Sequence, residues 1–171
     1  PGHGDTATDS HHDLPRIGAP LEVLRERELA PFRAAVEAGV ATIMTSHIVV
    51  AALDAQRPAT FSPVGLGVLR DELGFTGVIV SDALDMAGAS ERTGIPEAAV
   101  RALLAGVDLL CLGSATTEDR YAAAHSAVVE AVENGRLPRE RVAEAAGRVR
   151  ELASATAGRL TASAPHPSHP D

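Results

Sequence analysis

The stretch Gly77-Val-Ile-Val-Ser-Asp-Ala-Leu-Asp-Met86 decides the fold. It opens on a short apolar run of β-branched residues and ends in a hydroxyl and two acids. An apolar run without alternation reads as a strand covered on both faces, and such strands belong to parallel sheets. Two runs of the same kind flank it: Val40-Ala-Thr-Ile-Met-Thr-Ser46 upstream and Val107-Asp-Leu-Leu-Cys-Leu112 downstream.

Helical patterns fill the intervals. Leu21, Leu24, Leu29, Phe32 and Val36 recur at helical spacing, with Pro31 starting a second piece and Gly39 closing it. Ser62-Pro63 reads as an N-cap with proline at the first helical position; Val64, Val68 and Leu69 form the apolar face, and Gly74 ends it. Pro96 opens a helix through Ala105 that stops at Gly106. Two long helices follow near 117–134 and 138–153, divided at Asn134-Gly135. Strand and helix alternate in units of about 35 residues, the length of a βα repeat, so the expected class is α/β with a parallel sheet. A further strand is expected to end just before Pro1. Residues 1–20 read as a loop, and the Ala, Ser, Thr, Pro and His of 154–171 read as a linker or disordered tail.

Composition excludes several classes. The 171 residues carry 15 basic and 23 acidic side chains, a net charge of −8, with 45% apolar and 22% charged residues. A disordered chain has fewer aliphatics, and a nucleic-acid binder carries a basic excess. No apolar stretch approaches the roughly 18 residues of a membrane helix. Cys111 is the only cysteine, so no disulfide or cysteine-based zinc site forms within one chain. All basic residues are Arg, which points to coding bias rather than chemistry. The chain starts at Pro1 without a signal-peptide pattern, so it is expected to be part of something longer and its compartment is not readable.

In a parallel α/β barrel chemistry gathers at the C-terminal ends of the strands. Thr45, Ser46 and His47 follow one strand here; Ser81, Asp82 and Asp85 follow the next. Asp85 suits the capping of a following turn, which leaves Asp82 to project as an ionised nucleophile or electrostatic stabiliser. The loop before the first helix holds His3, Asp5, Asp9, His11, His12 and Asp13. Such residues can ligate zinc or iron, but two glycines and Pro1 replace any fixed ligand spacing, and no metal is expected. In an extended segment Asp9 and His11 point the same way, so the carboxylate can fix the imidazole tautomer. An imidazole with a pKa of about 6.5 serves as both acid and base at neutral pH. His12 then points away to solvent. His47 reads first as a hydrogen-bonded wall residue, His125 as a surface residue, and Cys111, Tyr121 and Phe32 as packing.

Taken together, Pro1-Gly-His-Gly-Asp-Thr-Ala-Thr-Asp-Ser-His11, Met44-Thr-Ser-His47 and Gly77 to Met86 resemble glycoside hydrolase family 3 in order and spacing. Within it they are most similar to the bacterial β-N-acetylglucosaminidase (β-hexosaminidase) branch. Glu28-Leu-Ala-Pro-Phe32, Pro58-Ala-Thr-Phe-Ser62, Gly106-Val-Asp-Leu-Leu110 and Asn134-Gly-Arg-Leu-Pro138 extend the resemblance to about Leu152. It implies a TIM-type (β/α)8 barrel, here only its last three to four βα units over residues 1–153, from the end of the fifth unit to the eighth. It implies that Asp82 is the nucleophile, His11 the proton donor and acceptor, and Asp9 the dyad partner of His11. His3, His47 and Met86, which lie in these motifs, are the candidate substrate-binding residues.

The implied reaction is retaining hydrolysis of terminal N-acetylglucosamine from cell-wall fragments, without cofactor or metal. The implied partners are an amino-sugar glycoside and the missing N-terminal half of the barrel, with no nucleic acid and no membrane segment. A Lys-His pair that precedes Pro-Gly-His-Gly in the family, and earlier sugar-binding Asp and Arg residues, are absent. A complete barrel takes about 250 residues, so the 171-residue chain is expected to be inactive alone. A β-glucosidase or phosphorylase of the same family would share the Ser81-Asp82 strand, and a non-catalytic barrel fragment is the third alternative.

Overall fold

The structure is a computed structural model that describes residues 1–6, 14–90 and 93–162. Its elements run β1 (Arg16–Ile17), α1 (Leu21–Glu26), α2 (Ala30–Glu37), β2 (Thr42–Met44), β3 (Val49–Val50), α3 (Pro63–Gly67), β4 (Val78–Val80), α4 (Ala87–Ser90), α5 (Gly94–Ala105), α6 (Glu118–Glu133) and α7 (Arg139–Ala162). A 3-10 turn at Ala59–Phe61 precedes α3, and a π turn at Val68–Glu72 continues it.

The parallel sheet forms as expected. β2 and β4 pair in parallel with Thr42 opposite Val78, Ile43 opposite Ile79 and Met44 opposite Val80. On the far side of β4, Val80 bridges Leu109 in the same sense. The 107–112 run therefore lies beside β4 as a third strand-like segment, although only one bridge forms where a full strand is expected. Its backbone follows β4 closely, with Asp108 N–H donating to Ile79 O at 2.9 Å and Ser81 N–H to Leu109 O at 2.9 Å.

Helix boundaries follow local chemistry. Ser62 Oγ accepts from Gly65 N–H at 3.1 Å, and Pro63 takes a position where its missing N–H costs nothing. Thr117 caps α6 by accepting from Arg120 N–H at 3.3 Å. Gly106 ends α5 at φ +117°, a left-handed geometry that a side chain strains against. α7 departs from expectation by continuing past Ala153 to Ala162. Hydroxyls there bond back into the helix, Ser154 Oγ to Arg150 O and Thr156 Oγ1 to Leu152 O, which satisfies them without breaking it. Among the described residues no helix is long and apolar enough to cross a membrane.

The core lies on one face of the strands. Ile43, Ile79 and Val107 point into it and meet Leu66, Leu69 and Ala102 from α3, the π turn and α5. Ala98, Ala99 and Ala124 bring α5 and α6 close together, and Leu137 seals the base of α6 against Val100 and Leu103. On the opposite face Val78 is buried, while Met44 is 51% exposed, and Leu109 is 40% exposed. Alternation places Met44 there, since residues next to the core-facing Ile43 point away from the helices. A second parallel pair joins β1, which falls in the 1–20 stretch that reads as loop, to β3, where the sequence reading assigns no element. Ile17, Leu24 and Ile48 make its own small core.

The strongest tie sits at the N-terminal ends of the strands. The Asp108 carboxylate, with no side-chain exposure, meets Arg70 from the π turn and Arg141 and Arg148 from α7, and also accepts from Ile79 N–H at 3.0 Å. Arg70 further donates to Phe75 O and Gly77 O, both at 2.7 Å, fixing the approach to β4. Removing the carboxylate leaves three guanidinium groups facing one another. Asp108→Ala is therefore expected to cost about 3 kcal/mol, at the low end for a broken buried ion pair because the arginines keep some solvent. A shift of the urea midpoint at unchanged m-value measures it; a shift under about 0.5 kcal/mol, the size of an ordinary surface substitution, contradicts this assignment.

Candidate active site

Beyond the C-terminal ends of β2 and β4 the chain turns polar. Ser81 is buried, and its Oγ accepts from Cys111 N–H at 2.9 Å, holding the third segment against β4. Cys111 itself is half-buried rather than enclosed in a core. Asp82 follows, half-buried, at the tip of β4. Its Oδ1 accepts from the N–H of Ala83 at 2.8 Å, and its own N–H donates to Thr45 Oγ1 at 3.3 Å. The side chain is thus oriented by its neighbouring peptide, and the peptide by the strand next door.

Asp85 does not behave as a cap for the following turn. Its Oδ2 accepts from Ala115 N–H at 3.2 Å, thirty residues away, and latches the loop after the third strand-like segment. Gly113 is required beside it: at φ +99°, a side chain there would overlap the Asp85 carboxylate.

His47 is fully buried, with its ring stacked on Phe61 at 5.9 Å between centroids. Its Nε2 lies 2.9 Å from Ala83 O, and its Nδ1 lies 3.0 Å from Thr60 Oγ1. A carbonyl only accepts, so Nε2 carries the proton. Both nitrogens are engaged within the protein, which leaves neither for a sugar. This supports the wall reading of His47 against the substrate-binding one. Burial pulls its pKa below the usual 6.5, outweighing the carbonyl of Ala83 and the charge of Asp82, which act the other way.

Of the other sequence candidates, Met86 is buried at 7% exposure, and His3 is exposed. Asp9, His11, His12 and Asp13 lie outside the described residues. Tyr121 is on the surface, 59% exposed, where it stacks with His125 instead of packing inward. Phe32 packs on the core as expected. Thr60 is a functional candidate that sequence reasoning missed, although it stands in the Pro58 to Ser62 motif; the available signal was a hydroxyl flanked by apolar residues between Pro58 and Phe61. It has no exposure and touches both Thr45 and His47.

Parallel strands clad by helices on one side, with polar groups gathered beyond their C-terminal ends, define a sector of a TIM-type (β/α)8 barrel domain. The Glycosyl hydrolase family 3 N terminal domain matches residues 1–152, and the chain belongs to that family. Among its relatives is a β-hexosaminidase of Chromobacterium violaceum, 43% identical over 111 residues that make up 64% of this chain and 31% of that protein. The β-hexosaminidase A of Pseudoalteromonas piscicida is 34% identical over 169 residues, covering 89% of this chain and 28% of its own length. A solved family 3 β-N-acetylglucosaminidase from Paenibacillus sp. str. FPU-7 superposes with a TM-score of 0.87 at 40% identity, over 99% of this chain and 32% of that one. The chain thus spans about a third of the length of the relatives it matches.

The buried imidazole gives a pH prediction with a definite sign. A histidine whose folded pKa is lowered stays neutral in the fold while the unfolded chain protonates. Stability is then level above the unfolded value of 6.5 and falls as the pH drops below it, until the folded group also protonates. The slope is at most about 1.4 kcal/mol per pH unit. Urea unfolding between about pH 7.5 and 5.5, on either side of the ordinary histidine value, measures it. His47→Gln is expected to flatten this part of the profile.

Proposed function

We propose that this chain carries the catalytic groups of a retaining exo-β-N-acetylglucosaminidase acting on terminal N-acetylglucosamine of cell-wall (peptidoglycan) fragments. The observation that carries the reading is Asp82 at the C-terminal tip of β4, with its carboxylate oriented by Ala83 N–H and its peptide tied to Thr45. The β-hexosaminidase relatives and the family 3 β-N-acetylglucosaminidase neighbour support the amino-sugar specificity.

In this reading a carboxylate oxygen of Asp82 attacks the anomeric carbon. The bond from that carbon to the leaving oxygen breaks, and the leaving oxygen takes a proton from His11. Asp9 holds the His11 ring in its working tautomer and stabilises the imidazolium. In the second step His11 takes a proton from water, the water oxygen attacks the anomeric carbon, and Asp82 departs as a carboxylate. Two inversions give net retention, with an imidazole where most glycosidases place a second carboxylic acid.

The remaining barrel units are the proposed partner of this half. Met44 and Leu109, exposed on the open side of the strands, support packing of that face against further strands. In this reading the sugar-binding wall belongs to those units, and the 171 residues alone are inactive.

The test is substitution in the full-length protein, assayed on aryl N-acetylglucosaminides. His11→Ala is expected to lower the rate about 10²- to 10⁴-fold, the usual worth of a general acid–base. The loss should shrink for aryl groups that leave without protonation. Asp82→Ala should abolish both turnover and the covalent glycosyl adduct seen by mass spectrometry with a fluorinated substrate. Full activity in either variant would falsify the assignment.

A further inference from the structure

Three segments converge on the peptide that follows β4. Thr45 and His47 come from the end of β2, Thr60 from the 3-10 turn, and Asp82 and Ala83 from the strand tip. Thr60 and His47 have no exposure and Thr45 has 4%. Thr45 Oγ1 lies 2.8 Å from Thr60 Oγ1, which lies 3.0 Å from His47 Nδ1. The direction of each proton follows from the two ends. Ala83 O can only accept, so His47 Nε2–H donates to it. The neutral ring then accepts at Nδ1, and Thr60 Oγ1–H supplies that bond. Thr45 Oγ1–H in turn donates to Thr60, and Thr45 Oγ1 accepts from Asp82 N–H at 3.3 Å.

We propose that Thr60 is a positioning residue for Asp82, the central link of a one-way hydrogen-bond loop that starts at the Asp82 N–H and returns to the Ala83 carbonyl. The inference rests on Asp82 being the nucleophile. The loop holds the Asp82–Ala83 backbone from both ends, while Ala83 N–H holds the carboxylate itself at 2.8 Å. No bond of the loop reaches the Asp82 carboxylate, so the loop acts on where the side chain stands. The surroundings are rigid. Phe61 stacks on the His47 ring, and a Cβ at Gly88 would come within 3.2 Å of His47 Cβ, so α4 closes the remaining side. The carbonyl of Ser46, 3.0 Å from Thr60 Oγ1, competes for the same hydroxyl proton. Thr60 therefore has a second setting, in which it donates to Ser46 while a protonated His47 donates to it. The loop thus keeps partners for all its groups in either state of the ring, which suits a part that must not move.

Kinetics on the full-length protein test this role. Thr60→Val keeps the shape and deletes the hydroxyl. A nucleophile displaced by a fraction of an ångström should react about ten- to a hundredfold more slowly, so kcat should fall by that factor with KM nearly unchanged. Thr60→Ser should restore the rate, and amide hydrogen exchange at Asp82 should speed up in the valine variant only. Unchanged kcat in a folded Thr60→Val overturns the proposal, as does a loss that Thr60→Ser does not rescue. A measurement independent of any variant is the ¹⁵N spectrum of the His47 ring in the unsubstituted protein. The proton must sit on Nε2 at neutral pH, and an Nδ1–H tautomer overturns the loop. Failure of the underlying assignment looks different: Asp82→Ala then remains active, whatever Thr60→Val does.

Discussion

A single buried carboxylate organises the molecule. Asp108 sits at the start of the third strand-like segment with no side-chain exposure, and its oxygens face arginines from two separate elements and a peptide N–H of β4. Burying a charge is costly unless partners surround it, so those elements cannot drift apart without exposing it to an uncompensated environment. The cost is local and so is its effect: the strands' N-terminal ends, the π turn and α7 are pinned to one another. The opposite end of the strands, where the polar groups gather, inherits that alignment.

The parallel arrangement separates the two kinds of polar group. Charged pairs that hold the fold gather at the N-terminal ends of the strands, where Arg70, Arg141 and Arg148 meet Asp108. At the C-terminal ends the buried groups are hydroxyls and a neutral imidazole, from Thr45, Thr60, Ser81 and His47. Neutral hydrogen bonds are directional and satisfy buried atoms without introducing a competing charge beside Asp82. That division leaves Asp82 as the carboxylate at the tip of β4, held through its backbone. In an ion-pair network there, an arginine would hold the same side chain by its charge.

Much of this is legible in the residues. The apolar runs, the Ser62-Pro63 cap, the closing glycines and the chain order of the strands all follow from local propensity and periodicity, and each appears in the structure. Asp82 at a strand tip is readable for the same reason. The unreadable parts depend on contacts between residues far apart in sequence. Asp85 carries the local signature of a cap, yet its carboxylate goes to Ala115 across thirty residues, and no spacing rule reports that. Asp108 reads as one polar residue in an apolar run because its arginines are 33 to 40 positions away. β1 and β3 are two residues each, too short for periodicity to register. The start of the tail misleads because Ala, Ser and Thr suit a linker, while the helix before them carries its own geometry forward into them.

The exposed side of the strands bears on where the Asp82 carboxylate stands. Ile43 and Ile79 face the helices, so Thr42 and Met44 face the other way by alternation along β2, and Leu109, bridged to Val80, is exposed as well. In a closed barrel that inner face is packed by side chains in layers. Thr45 and Ser81, each just past the end of its strand, form the last buried layer on these strands, and their hydroxyls bond sideways to the neighbouring chain. Asp82 is the first side chain above that layer that is half-buried and not enclosed. One residue lower the carboxylate would be enclosed, as Ser81 is. The position of the carboxylate is thus set by where strand packing ends, and the hydroxyl layer beneath it keeps that boundary sharp.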